Sequence, residues 1–342
     1  MLRYLVALGL ACAILPMPAS AQRGGEWRHE GSGISLPRQI GEMRLGQEQD
    51  ASGGGNFDVI LQYGDGQTPV TLYVYRSAYP NAALWFERTR LAMNQHVGAG
   101  ARDAAPRSFT LGGAPSPNGL REEIALPGNR ATAVAIAQIG EWMVKARITS
   151  SRLDAAAVAQ RMDQLLGALR FARPVTRAAP LQVPQPCGEM PRMEGRKVDP
   201  NAGNALAEGT VMGIVAYGQA RGHTGLAAEP ATWCRDTTTQ VPVQFGTVYR
   251  ERDGTGWVAL LGDSGRAAAA FRFDLPGSTR AGGYVSTPAS TQVAAVYEGL
   301  PHPDAALPEM LPIVVGQARG IAEIGVNPGG ARPGRERRRG RR

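Results

Sequence analysis

The stretch from Ala131 to Phe171 constrains the fold more than any other part of the chain. Trp142, Val144, Ala146 and Ile148 alternate with Met143, Lys145 and Arg147, the period-two pattern of a half-buried strand. Gly140-Glu141 precedes it as a two-residue loop with Gly where a type II′ turn needs one, and the apolar run Ala131–Ile139 supplies the partner strand. Asp154 then stands as N-cap of a helix that places Val158, Met162, Leu165 and Leu169 on one side and Gln160, Arg161, Asp163 and Gln164 on the other. A hairpin that runs into an amphipathic helix has to bury that helix on its own sheet.

The residues before this unit extend the same sheet. Order is expected to begin near Ile34-Ser35-Leu36-Pro37. Phe57–Tyr63 and Val70–Arg76 read as a hairpin across Gly64-Asp65-Gly66, after the loop Gly53-Gly54-Gly55. Asn81 caps a second helix that runs to about Val97, with Phe86, Met93 and Val97 on one side and Glu87, Arg88, Arg90 and Asn94 around the rest. Ser108–Leu111 and Leu120–Leu126 complete the strands. Sequential strands with short turns favour an antiparallel sheet, so the fold class is α+β, with two helices packed on that sheet.

This order, the Gly140-Glu141-Trp142 hairpin and the terminal helix running into Leu165-Leu166-Gly167-Ala168-Leu169-Arg170-Phe171 resemble the PsbP-like fold, known from extrinsic photosystem subunits and from a Ran-binding nuclear import factor. The resemblance spans residues 27–172 and rests on pattern. It implies a binding or assembly module without catalysis, and it carries no functional residue onto this chain.

Residues 173–186 contain Pro174, Pro180, Pro184 and Pro186 without apolar periodicity, which describes an extended, semi-rigid linker. Over 187–326 the character changes to short runs (Gly209–Tyr217, Val241–Arg250, Trp257–Leu261, Ala267–Phe273, Ala281–Val285 and Gln292–Tyr297) separated by Gly/Asp turns. These read as strands of a small, mostly β domain. Glu309–Ile324 fits strand or helix equally. From residue 327 to 342 Gly, Pro and Arg leave too few apolar side chains to bury, so this tail is expected to be disordered.

The chain opens with Arg3, an apolar run from Leu5 to Leu15, Pro16, Pro18 and Ala19-Ser20-Ala21, the layout of a secretory signal peptide cleaved after Ala21. Cys12 keeps a lipoprotein reading open, although Gly9-Leu10-Ala11 lacks the large aliphatic residue a lipobox usually carries. The expected location is periplasmic or secreted. Cleavage leaves two of the three cysteines, Cys187 and Cys234, which an oxidising compartment would join in one disulfide. A metal site is the alternative, with neither a C-x-x-C spacing nor clustered histidines behind it.

The net charge of +8 suggests nucleic acid until it is located. Arg332, Arg335, Arg337, Arg338, Arg339, Arg341 and Arg342 with Glu336 give the tail +6, and Arg3 goes with the signal, which leaves +1 for the body (8 − 1 − 6). For an exported chain the polyanions within reach are phospholipid headgroups, lipopolysaccharide phosphates and acidic envelope partners, so no nucleic acid is expected. A tail that only aids solubility is the plainer reading.

Candidate chemistry is sparse. Gly262-Asp263-Ser264-Gly265 resembles the nucleophile segment of trypsin-like serine proteases, which makes Ser264 the residue of a periplasmic hydrolase reading. Yet Arg266-Ala267 follows where Gly-Pro is usual, and the same four residues suit a hairpin turn. Tyr63, Tyr73, Tyr75 and Tyr79 form a candidate sugar- or peptide-binding surface, or else pack under a helix. Glu122 and Glu123 point to opposite faces of a strand and cannot share acid–base work. Phosphate-loop motifs are absent, and neither a cofactor nor a metal is expected. The sequence therefore describes an exported, non-catalytic binding or assembly module.

Overall fold

The computed structural model describes residues 25–97, 102–103, 105–128, 130–175, 181–220, 232–242, 245–263, 265–272 and 279–325. The N-terminal half contains β1 (Glu26–His29), β2 (Ile34–Pro37), β3 (Gln39–Ile40), β4 (Met43–Asp50), β5 (Asp58–Gly64), β6 (Pro69–Arg76), α1 (Ala82–Val97), β7 (Arg102–Asp103), β8 (Arg107–Phe109), β9 (Gly119–Leu126), β10 (Arg130–Ile139), β11 (Trp142–Ser150), α2 (Ala155–Ala168) and β12 (Arg170–Phe171). Among the described residues, β3 to β11 form a nine-stranded sheet in the order β3-β4-β5-β6-β11-β10-β9-β7, with β8 also on β9, while β1, β2 and β12 make a small sheet beside it. Every strand pair is antiparallel, so the α+β class with two helices holds.

The local signals act as the residues dictate. Gly140 has φ +61 and Glu141 no positive φ, and Ile139 pairs with Trp142 across that turn. Asp154 accepts from the Ala157 amide at 2.8 Å, and Asn81 accepts from the Ala83 and Leu84 amides at 3.1 Å each. Val158, Met162 and Leu165 of α2 pack on Ala131, Ala133, Ala135 and Ala137, whose small side chains let the helix approach β10 closely.

The C-terminal half contains β13 (Arg196–Val198), α3 (Ala205–Ala220), β14 (Trp233–Arg235), β15 (Gly246–Glu251), β16 (Gly256–Leu261), β17 (Arg266–Arg272), β18 (Arg280–Ser286), β19 (Ser290–Glu298), α4 (Pro303–Val314) and β20 (Ala322–Gly325). Its eight described strands form a second antiparallel sheet, β13-β19-β18-β17-β16-β15-β14 with β20 also on β19. Cys187 and Cys234 are joined in a disulfide, Cα to Cα 4.9 Å, which fastens the start of this half to β14.

Two expectations change here. Gly209–Tyr217 is part of helix α3 and not a strand. A Cβ at Gly209 would lie 2.6 Å from Val296 Cγ2, and one at Gly213 would lie 2.6 Å from Ile324 Cδ1, so two glycines four apart let a helix settle on β19 and β20 where β-branched neighbours suggested a strand. Glu309–Ile324 divides into the end of α4 and strand β20.

The larger finding concerns α1, whose polar residues the pattern sets around the helix, and the Met143/Lys145/Arg147 side of β11, the second face of a strand read as half-buried. Glu87, Arg88, Met143 and Lys145 are all buried, because the second sheet covers them. Tyr75, Leu84, Trp85, Phe86, Val134, Ile136 and Met143 share one core with Trp233, Tyr249, Val258, Leu260, Ala267 and Ala269. The layers therefore run α2, first sheet, α1, second sheet, α4, with α3 beside α1 on the same face of the second sheet. Linker residues Leu181 and Val183 also pack against the shared core.

Trp85 stands at the centre of that core, its indole Nε1 donating to Ser77 Oγ at 2.8 Å and to the Tyr79 carbonyl at 2.9 Å. Trp85→Ala should cost about 3–5 kcal/mol, and both halves should lose structure in one transition when followed by near-ultraviolet circular dichroism. Reducing Cys187–Cys234, which lie 47 residues apart, should lower unfolding free energy by roughly 3–4 kcal/mol in denaturant titrations with and without reductant.

Candidate functional site

Ionisable side chains concentrate where the two sheets meet. Lys145 projects from β11 toward the second sheet, its Nζ 4.5 Å from the Tyr73 ring centre and 3.3 Å from Asp263 Oδ2 in the β16–β17 turn. Burial pushes the Lys145 amine below its ordinary pKa, opposed by the Asp263 carboxylate, and burial raises the Tyr73 phenol and the nearby Asp58 carboxyl. The turn is seated by Gly265, whose carbonyl accepts from the Ala78 amide at 2.7 Å. With φ +72, and with Tyr75 Cδ2 and the Arg76 carbonyl 2.9 and 3.0 Å from where a Cβ would stand, this position requires glycine.

A second group surrounds α1. Glu87 accepts from Tyr249 Oη at 2.8 Å and from Arg235 Nη1 at 3.0 Å; burial raises its carboxyl, and those two partners oppose the rise. Glu122 pairs with Arg90 at 3.2 Å on the α1 side of β9. Glu123 meets Arg107 and Arg121 on the α2 side, so the two neighbouring carboxylates do face apart.

Beside this group lies a cavity of about 210 Å³ lined by Leu91, Arg235, Asp236, Thr239 and Thr247. Burial pushes the Asp236 carboxyl up, but hydrogen bonds from Thr238 and Thr239 outweigh it and hold the group below its usual range. An open groove lined by Arg44, Gln47, Gln62, Gln67 and Thr68 runs along the first sheet. Neither hollow is lined by Lys145. The perturbed groups are held by one another across the seam, an arrangement that binds the two sheets together.

The four tyrosines do not form one surface. Tyr63 lies in the α2 core with its hydroxyl donating to the Pro37 carbonyl at 2.8 Å, and burial pushes it up to about 12. Tyr75 is buried against Trp85 in the shared core. Tyr73 lies over Lys145, and Tyr79 meets Trp233 edge-on, so three of the four pack at the seam.

Ser264 and the tail arginines Arg332, Arg335, Arg337, Arg338, Arg339, Arg341 and Arg342 lie outside the described residues, as does the segment 1–21. Of the histidines, His29 contacts Ser32 Oγ and the Asn56 carbonyl through its two ring nitrogens, and His302 caps α4. Sequence reasoning missed Lys145, Asp263, Glu87 and Asp236 as a set. Lys145 and Glu87 occupied polar positions of amphipathic elements and Asp236 and Asp263 lay in connecting segments, places where a charged residue usually meets solvent.

Comparison with known proteins adds one point. No protein-family model matches the chain, and no curated protein matches it. Four solved chains match; one is the solution structure of cyanobacterial PsbP (CyanoP) from Synechocystis sp. PCC 6803. It is 8% identical, the match covers 43% of this chain and 91% of that one, and the TM-score is 0.29.

The Lys145–Asp263 pair is asymmetric, since Lys145 is buried while the Asp263 side chain is 53% exposed. Asp263→Ala should destabilise by roughly 2–3 kcal/mol, below the value for a fully buried pair, whereas Lys145→Met should be neutral or stabilising. A lysine with its pKa depressed in the fold penalises folding at low pH. Stability should therefore rise as pH climbs from the folded value toward 10.5, and Lys145→Met should flatten that rise in urea titrations.

Proposed function

We propose that this protein is an exported envelope protein acting as a non-catalytic binding or assembly module through its outer surface. One observation supports the reading above others: the perturbed acids and bases at the seam, Lys145, Asp263 and Glu87 with Arg235 and Tyr249, are engaged in joining the two sheets around α1. A protein that does chemistry keeps such groups open to a cleft. The disulfide favours an oxidising compartment, in keeping with the signal-like order of residues 1–21.

The test has two readouts. Expressed from its full sequence in a Gram-negative host, the protein should be recovered from the periplasm or medium with Gln22 at its N-terminus and no free thiol. Recovery from the cytosol with both thiols free would remove the export reading. The purified protein and its Ser264→Ala variant should be equally inert toward chromogenic esters and peptides, and turnover abolished by Ser264→Ala would replace the binding module with the hydrolase.

A further inference from the structure

His29 closes a polar junction at the rim of the N-terminal half, away from the seam. It stands on β1, which among the described residues pairs with β2 alone. The residue is 2% exposed, its ring stacked on Trp27 with centres 5.9 Å apart and edge-on to Trp142 of β11 at 4.7 Å. Nδ1 lies 3.1 Å from the Ser32 amide nitrogen and 2.7 Å from Ser32 Oγ in the β1–β2 loop, and Nε2 lies 2.9 Å from the Asn56 carbonyl oxygen in the β4–β5 loop. The β1–β2 loop covers Trp142 so closely that a Cβ on Gly31 would stand 3.1 Å from its Cζ2.

These contacts fix the protonation of the ring. An amide N–H only donates, so Nδ1 has to offer a lone pair; a carbonyl only accepts, so Nε2 has to carry the hydrogen. The neutral Nε2–H imidazole satisfies every partner at once. A second proton would go to Nδ1. The Ser32 hydroxyl can turn and accept it, but the Ser32 amide cannot, and donor would then face donor across 3.1 Å. The cation would also be buried with no carboxylate on either nitrogen.

The charged groups around the ring come from each element packed on it. Glu30 follows it in its own loop, Glu48 and Asp50 lie on β4, and Glu141, next to Trp142, is paired with Arg76 of β6 at 2.7 Å. Arg28 pairs with Glu26 at 2.8 Å. Glu48 already accepts from the Trp27 indole at 2.8 Å, and Asp50 from the amides of Ser52, Gly54 and Asn56. Burial holds the imidazole below its ordinary value, against the Asn56 carbonyl and the carboxylates of Asp50, Glu30 and Glu48. Asn56 has left-handed backbone, φ +54, with its amide on Asp50 at 3.1 Å and its carbonyl on His29, so losing the histidine removes one of the two bonds that keep a non-glycine residue there.

We propose that His29 is an acid-operated latch: its neutral ring clips the β1–β2 loop to the β4–β5 loop beside Trp142, and protonation releases both loops. The closed latch binds one proton fewer than the open one. The open-to-closed ratio therefore rises as pH falls below 6.5, by about tenfold per pH unit until the closed ring itself titrates. Asp58, where the second loop enters β5, has a carboxyl raised by burial, which acts with the opposite sign and favours the fold as pH falls.

The experiment is amide hydrogen exchange of the purified protein above and below pH 6.5, corrected for the intrinsic pH dependence of exchange. Opening over residues 30–34 and 52–57 should grow about tenfold per pH unit on the acid side, while β10 stays protected. His29→Gln keeps an acceptor and a donor but takes no proton, and should abolish that dependence. In case His29→Gln folds poorly, nitrogen NMR of the imidazole in the unaltered protein should find the hydrogen on Nε2 and half-protonation below 6.5. Opening that ignores pH, dependence that survives His29→Gln, a neutral ring with its hydrogen on Nδ1, or titration at or above 6.5 would each overturn the proposal.

Discussion

Helix α1 has more apolar circumference than one sheet can cover, and the rest of the molecule depends on that fact. Leu84, Trp85 and Phe86 are consecutive, all buried, and spread around the axis because successive helical residues turn by about 100°. The first sheet accepts one side through Val134, Ile136 and Met143; the second accepts the other through Tyr249, Val258 and Leu260. Small residues at Ala267 and Ala269 let the second sheet come close. What is polar on α1 then loses water and needs partners, which explains Tyr249 and Arg235 on Glu87 and Glu122 near Arg90.

The parts legible in the sequence are those determined within a few residues. Asn81 and Asp154 begin helices, Gly140 turns a hairpin, and Val158, Met162 and Leu165 mark the side of α2 that meets alanines. With Cys12 set apart in the signal-like segment, Cys187 and Cys234 leave one pairing. What could not be read is what covers the polar side of an amphipathic element, because the covering group lies far along the chain: Lys145 finds Asp263, and Glu87 finds Arg235 and Tyr249. Periodicity reports a difference between two faces, not the presence of solvent at either. Helix α3 failed for a related reason, since Gly209 and Gly213 acquire meaning only beside Val296 and Ile324.

The seam also gives a displaced pKa a structural cause. Lys145 has the depressed amine of a reactive lysine, yet its environment is Tyr73, Asp263 and the closed interface. A lysine of this kind ties one layer to the next at a defined register, because its carboxylate partner is reached only when the β16–β17 turn sits on Tyr75 and Ala78. Specificity of docking between sheets is a use for a buried ion pair that hydrophobic residues serve less well.

The sharing of α1 also sets an order in time. The helix ends at Val97, whereas the strands that cover its second side span residues 246–272, so some 150 residues must be made before that side can be closed. Until then Trp85, Phe86 and the carboxyl of Glu87 belong to an unfinished surface on an otherwise assembled half. A chain built this way is at its most adhesive midway through its own synthesis, when the N-terminal half waits for the rest.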